Sequence, residues 1–88
     1  MPRINQAHME AKVRIVNGLL GFDTDKVEYL TVGSVRLDGA YGGWAVELVD
    51  NDQGGVHNLT GGHGTARECT EFLSGMIAAL RIAKGDNP

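Results

Sequence analysis

The sequence predicts an α+β domain of element order α-β-β-β-α, with a three-stranded antiparallel sheet and both helices packed on one of its faces. Three observations lead there. Apolar residues recur at helical spacing toward each end of the chain, short alternating or β-branched runs lie between them, and turn-forming clusters separate those runs. Three antiparallel strands cannot bury an apolar face alone, so the helices are expected to cover one side of the sheet. The opposite side is left to solvent or a partner.

The first helix is predicted from Asn5 to about Leu20, where Met9, Val13, Val16 and Leu20 form an apolar stripe that Ile15 and Leu19 widen. Asn5 suits the N-cap, because its side-chain oxygen can accept an orphan amide hydrogen of the first turn, and Gly21 suits a left-handed stop. Gly18 costs roughly 1 kcal/mol against alanine in a helix interior, which suggests a close contact there. A polar connection, FDTDK, follows.

A strand is expected from Glu28 to Leu37, on the β-branched and aromatic residues Tyr29, Thr31, Val32 and Val35, with a bulge or bend at Gly33. DGAYGG reads as a turn. From Trp44 to Val49, Trp44, Val46 and Leu48 alternate with Ala45, Glu47 and Val49, and DNDQGG then reads as a hairpin loop before a short strand from Val56 to about Thr60.

The second helix is announced by Thr65 and Glu68, a T-x-x-E capping box that pairs two orphan amides reciprocally. Cys69, Phe72, Leu73, Met76, Leu80 and Ala83 then trace one face, thickened by Ile77, and Gly85 ends the helix ahead of a flexible tail at about 85–88. Large buried side chains contribute roughly 1.5–3 kcal/mol each, so in so small a core Trp44, Phe72 and Leu80 are expected to matter heavily.

Eighty-eight residues make one domain, 1–88, with a thin stability margin that a second copy would relieve, so a homo-oligomer is expected. The single cysteine, Cys69, cannot form an internal disulfide, which fits a reducing compartment. With no signal-like or membrane-length apolar run, the chain reads as soluble and cytoplasmic. A formal charge of −3 with interspersed acids and bases disfavours a phosphate-gripping surface.

Eight of the thirteen glycines fall between Leu37 and Thr65, together with the only Trp and two of the three His residues, so functional contacts are sought there. The segment GGHGTARE opens a helix with a glycine-rich turn, which presents free amides and the positive end of a helix dipole to an anion. Gly61, Gly62, His63, Gly64, Thr65 and Arg67 are therefore the candidate ligand-binding residues, with Arg67 as a charged donor. The P-loop lysine and spacing are absent, Glu68 opposes an anion, and a tight strand-to-helix turn explains the same glycines. Tyr41, in YGGW, is the candidate surface aromatic, whereas the alternation around Trp44 marks a core residue.

DNDQGG fails as a calcium loop, since Gly54 and Gly61 occupy positions that need ligands. His57, His63 and Cys69 lack the short separations of zinc sites, and Cys69 lies on an apolar helix face as a small hydrophobe. No metal, cofactor or catalytic residue is expected.

AHMEAKVRIVNGLLG, VGSVRLDGAYGGWAVELVDNDQGGVHNL and GGHGTARECTEFLSGM together resemble a family of small proteins of unassigned function that are frequent in tailed-phage genomes. The likeness covers nearly the whole chain. It departs from the family pattern at Asp52, where a glutamate is expected, and at Cys69 and Thr70, where an aliphatic and an aromatic residue are expected. The resemblance implies an accessory role in the host cytoplasm, with counter-defence as one example, acting on a host protein or sequestering a small anionic, nucleotide-like ligand. It implies no activity.

Three functions compete at this stage. The first is a non-enzymatic binding module. The second is a double-stranded nucleic-acid-binding domain, which shares the element order but needs a basic cluster where this chain has one arginine beside a glutamate. The third, a small cysteine- or histidine-dependent enzyme, lacks a recognisable constellation.

Overall fold

The computed structural model of the protein describes residues 5–25 and 31–85. Its elements run α1 (Gln6–Leu19), β1 (Val35–Ala40), β2 (Gly43–Val49), β3 (Val56–Asn58) and α2 (Ala66–Ala83), and the sheet is antiparallel in the order β1-β2-β3. The expected α+β class and element order hold. Part of the expected first strand, Glu28–Leu30, and the tail beyond Gly85 lie outside the described residues.

Both helix starts follow local chemistry. Asn5 Oδ1 accepts the His8 amide at 3.1 Å, and Thr65 Oγ1 accepts the Glu68 amide at 3.1 Å while Glu68 Oε1 accepts the Thr65 amide at 3.0 Å. Gly21 and Gly85, with φ of 97° and 80°, follow the helix ends as left-handed residues. Gly18 is exposed, and a Cβ there would meet only Thr24 Cγ2 at 3.5 Å, so the expected close contact is absent.

Two strand boundaries differ from expectation. Thr31–Gly33 form a turn instead of strand, because Gly33 takes φ 87° and bends the backbone before Val35. Conversely, Asp38–Ala40 belong to β1 and pair with Gly43–Ala45. The turn contracts to Tyr41 and Gly42, both at positive φ (55° and 73°), as a two-residue type I′ hairpin requires.

Side chains on paired positions share a face, which places Val35, Leu37, Val46, Leu48 and Trp44 toward the helices. There they meet Met9, Val13 and Val16 of α1 and Cys69, Leu73 and Ile77 of α2. Met9, Val16, Val46 and Leu73 are fully buried, so the energetic centre lies with them instead of with the half-buried Trp44, Phe72 and Leu80. Ile15 (42 %) on α1 and Leu20 (39 %) at its C-cap stay exposed, and Ala83 is exposed on α2.

The opposite face is also partly closed. Ala45, Glu47 and Val49 are buried on it, correcting the expectation that it is open. Among the described residues an ion pair and a histidine–carboxylate hydrogen bond lie across this face. Arg36 Nε donates to Glu47 Oε1 at 3.0 Å between directly opposed strand positions, and His63 Nε2 meets Asp38 Oδ2 at 2.6 Å. The Trp44–Gly64 bridge sets His63 beside Ala45, which itself pairs with Asp38. The His63–Asp38 contact therefore spans the Ala45 methyl, and a larger side chain at position 45 would part it.

Candidate functional site

The candidate ligand residues gather at the end of the sheet where the chain returns from β3 into α2. Trp44 and Gly64 exchange two backbone hydrogen bonds of 2.8 Å, which pins the glycine loop against β2. This contact demands glycine at position 43, where a Cβ would lie 2.7 Å from the Gly64 carbonyl oxygen. Gly39 is required for a second reason, since a Cβ there would sit 2.7 Å from the Trp44 ring. The indole thus lies across bare backbone.

Between Trp44, the loop and the first turns of α2 is a cleft of about 320 Å³, lined by Trp44, Thr60, Gly61–Gly64, Glu68, Cys69 and Phe72. Gly61 and Gly62 take φ of 75° and 151°, conformations open to glycine. Thr60 organises the turn, because its hydroxyl contacts Asn58 Oδ1 at 2.9 Å and the Gly62 carbonyl at 2.8 Å. His63 is fixed from outside by Asp38.

The helix N-terminus here is already occupied by a carboxylate. Glu68 accepts the Thr65 amide as its dominant interaction and receives further support from the Thr65 side chain, which together hold its pKa below the ordinary value of 4.5. Burial opposes this weakly. A folded-state pKa below the unfolded one means that the stabilisation is fully present above the ordinary carboxylate range and is lost as pH falls through the lowered value. Melting temperature measured against pH should therefore show the wild type modestly above Glu68→Gln at neutral pH, with the two curves converging in acid. Parallel curves at all pH values would contradict this assignment.

Arg67 does not join the cleft. Its side chain is 75 % exposed and pairs with Glu71 one turn along α2 at 3.6 Å, so the charged donor expected for an anion faces elsewhere. Cys69 does border the cleft, but its thiol is buried and desolvation pushes its pKa up, away from thiolate chemistry. Among the described residues no three His, Cys, Asp or Glu side chains gather as metal ligands, and no described helix is long and apolar enough to cross a membrane.

Tyr41 stands outside the cleft and beside it. The residue is 95 % exposed, and its ring meets that of His63 edge-on, with centroids 5.4 Å apart and planes at 77°. Asp38, Thr60 and Phe72, which no sequence pattern singles out as site residues, complete this end of the molecule together with Trp44, expected in the core. Asp38 is 25 residues from His63 and no motif links the two, so only the sheet register reveals their contact. No protein-family model, curated protein or solved structure matches the chain.

Proposed function

We propose that this protein is a non-enzymatic binding module whose hairpin tip, centred on Tyr41, docks on a partner protein. One observation supports this above the rest. Tyr41 occupies a left-handed turn position that favours asparagine or glycine, and its ring is almost wholly in water. Such a placement costs folding energy and returns no burial, so the side chain serves something other than the fold. Exposed, ordered tyrosines are frequent anchors of protein interfaces, and the edge contact with His63, itself tied to Asp38, limits the freedom that docking would remove.

The resemblance to small phage proteins suggests the setting. A phage accessory protein acting by occupancy on a host protein, counter-defence included, requires no reaction centre. Sequestering a small anionic ligand is the lesser branch, because Glu68 caps the helix that would hold it and Arg67 pairs elsewhere. Duplex nucleic acid is disfavoured for the same lack of free cations at the start of α2. Self-association fits the same proposal through the exposed Ile15 and Leu20 side chains, with melting temperature rising with protein concentration.

The stability side of the proposal is directly measurable. Tyr41→Asn should raise stability by about 1 kcal/mol, or about 4–8 °C in melting temperature for a domain of this size. A destabilised variant would mean that the ring supports the fold after all. A nucleotide panel should leave the wild-type melting temperature unchanged, and a clear upward shift would move the assignment to the ligand branch.

A further inference from the structure

We infer that the cleft between Trp44, Phe72 and the Gly61–Gly64 loop receives a basic side chain of the partner protein, an alkylammonium or guanidinium carried on an apolar stem. This deepens the docking proposal and rests on it. His63 joins the two places, since it lines the cleft and touches the Tyr41 ring. A partner seated on the hairpin tip would thus overlie the cleft mouth.

The chemistry of the walls selects the occupant. Trp44 and Phe72 offer aromatic surface to a methylene stem and attract a cation over their ring faces. Glu68 stands at the rim as an exposed carboxylate with one oxygen engaged by the Thr65 amide and no cationic partner among the described residues. No lysine or arginine lines the cleft. The whole chain carries −3. An anion would therefore meet repulsion, and a neutral aliphatic group would leave Glu68 uncompensated. The volume of about 320 Å³ lies near the bottom of the range for ligand pockets, suited to one side chain and too small for a helix or strand.

The test is an amide and indole NMR titration of the full chain with blocked single amino acids: the Nα-acetyl N-methylamides of lysine, arginine, norleucine and glutamate. Lysine and arginine probes should give saturable shifts at the Trp44 indole and the Gly61–Gly64 amides, with norleucine at least about threefold weaker, the scale of one exposed charge interaction. Glu68→Gln should weaken the lysine probe about three- to fivefold while the protein stays folded, because glutamine also completes a capping box. Equal response to norleucine, tighter response to glutamate, no response, or indifference to Glu68→Gln would each overturn the inference. If partner capture still depends on Tyr41 in that event, only the cleft's occupant is wrong. If that dependence also fails, the docking proposal falls with it.

Discussion

Replacing Leu73 by alanine is expected to cost about 3 kcal/mol and to lower the melting temperature by about 12–24 °C. Leu73 is fully buried where α2 faces α1 and the sheet, among Met9, Val16 and Val46, so the truncated methyls leave a cavity that neighbours on α1 and β2 cannot fill. An 88-residue domain has only about 4–13 kcal/mol to lose. Ile82→Ala is the matched control. That side chain is 66 % exposed, and its loss should stay within about 0.5 kcal/mol. Chemical denaturation of the two variants decides the matter, and similar midpoints would mean that the core has been misplaced.

Asn17→Ala should cost nearly as much, about 2–3 kcal/mol, although no apolar core is touched. Asn17 is buried on α1 and faces the first residue of β1, donating from Nδ2 to the Val35 carbonyl at 3.0 Å and accepting the Val35 amide at Oδ1, 2.8 Å away. The side-chain amide imitates a neighbouring strand and ties helix to sheet. Alanine would leave both groups of a buried backbone position unpaired. Asn17→Asp separates this account from simple packing, since it keeps the size and the acceptor but sets a carboxylate against the Val35 carbonyl. Its carboxyl pKa should rise on folding, so its stability should recover as pH falls and the group becomes a donor. An aspartate variant with no such recovery in acid would contradict the two-bond role.

These residues also show what a sequence can and cannot disclose. The capping box of α2 and the N-cap of α1 were legible because each depends on residues three apart, and the turn at DNDQGG was legible because Asn51 Oδ1 accepts the nearby Gln53 and Gly55 amides. Asn17 reads as a polar residue on the rim of a helical stripe, and its partner lies 18 residues away. The β1 boundaries were misjudged for a related reason. Thr31 and Val32 have the composition of a strand but precede a left-handed Gly33, whereas Asp38–Ala40 have the composition of a turn but gain cross-strand partners. Local preference yields to pairing.

The same division runs through the site. Tyr41 was visible because nothing in its surroundings gave it a place in a core. The glycine loop was visible by composition alone, and the anion it suggested is opposed by Glu68, whose capping role the T-x-x-E spacing already contained. Arg67 lies outside the cleft because a helical position one turn from an N-terminus can face the cleft or the next turn, and Glu71 at i+4 draws it to the latter. The cleft itself depends on β2 and α2 bringing Trp44 and Phe72 to one wall set, which required the fold.

The most direct test of the docking account compares wild type and Tyr41→Asn as baits for protein capture in cells, with both confirmed to be folded. Wild type should retain a discrete, stoichiometric partner that the variant loses, even though the variant is at least as stable. Retention of the same partners by both proteins would contradict it.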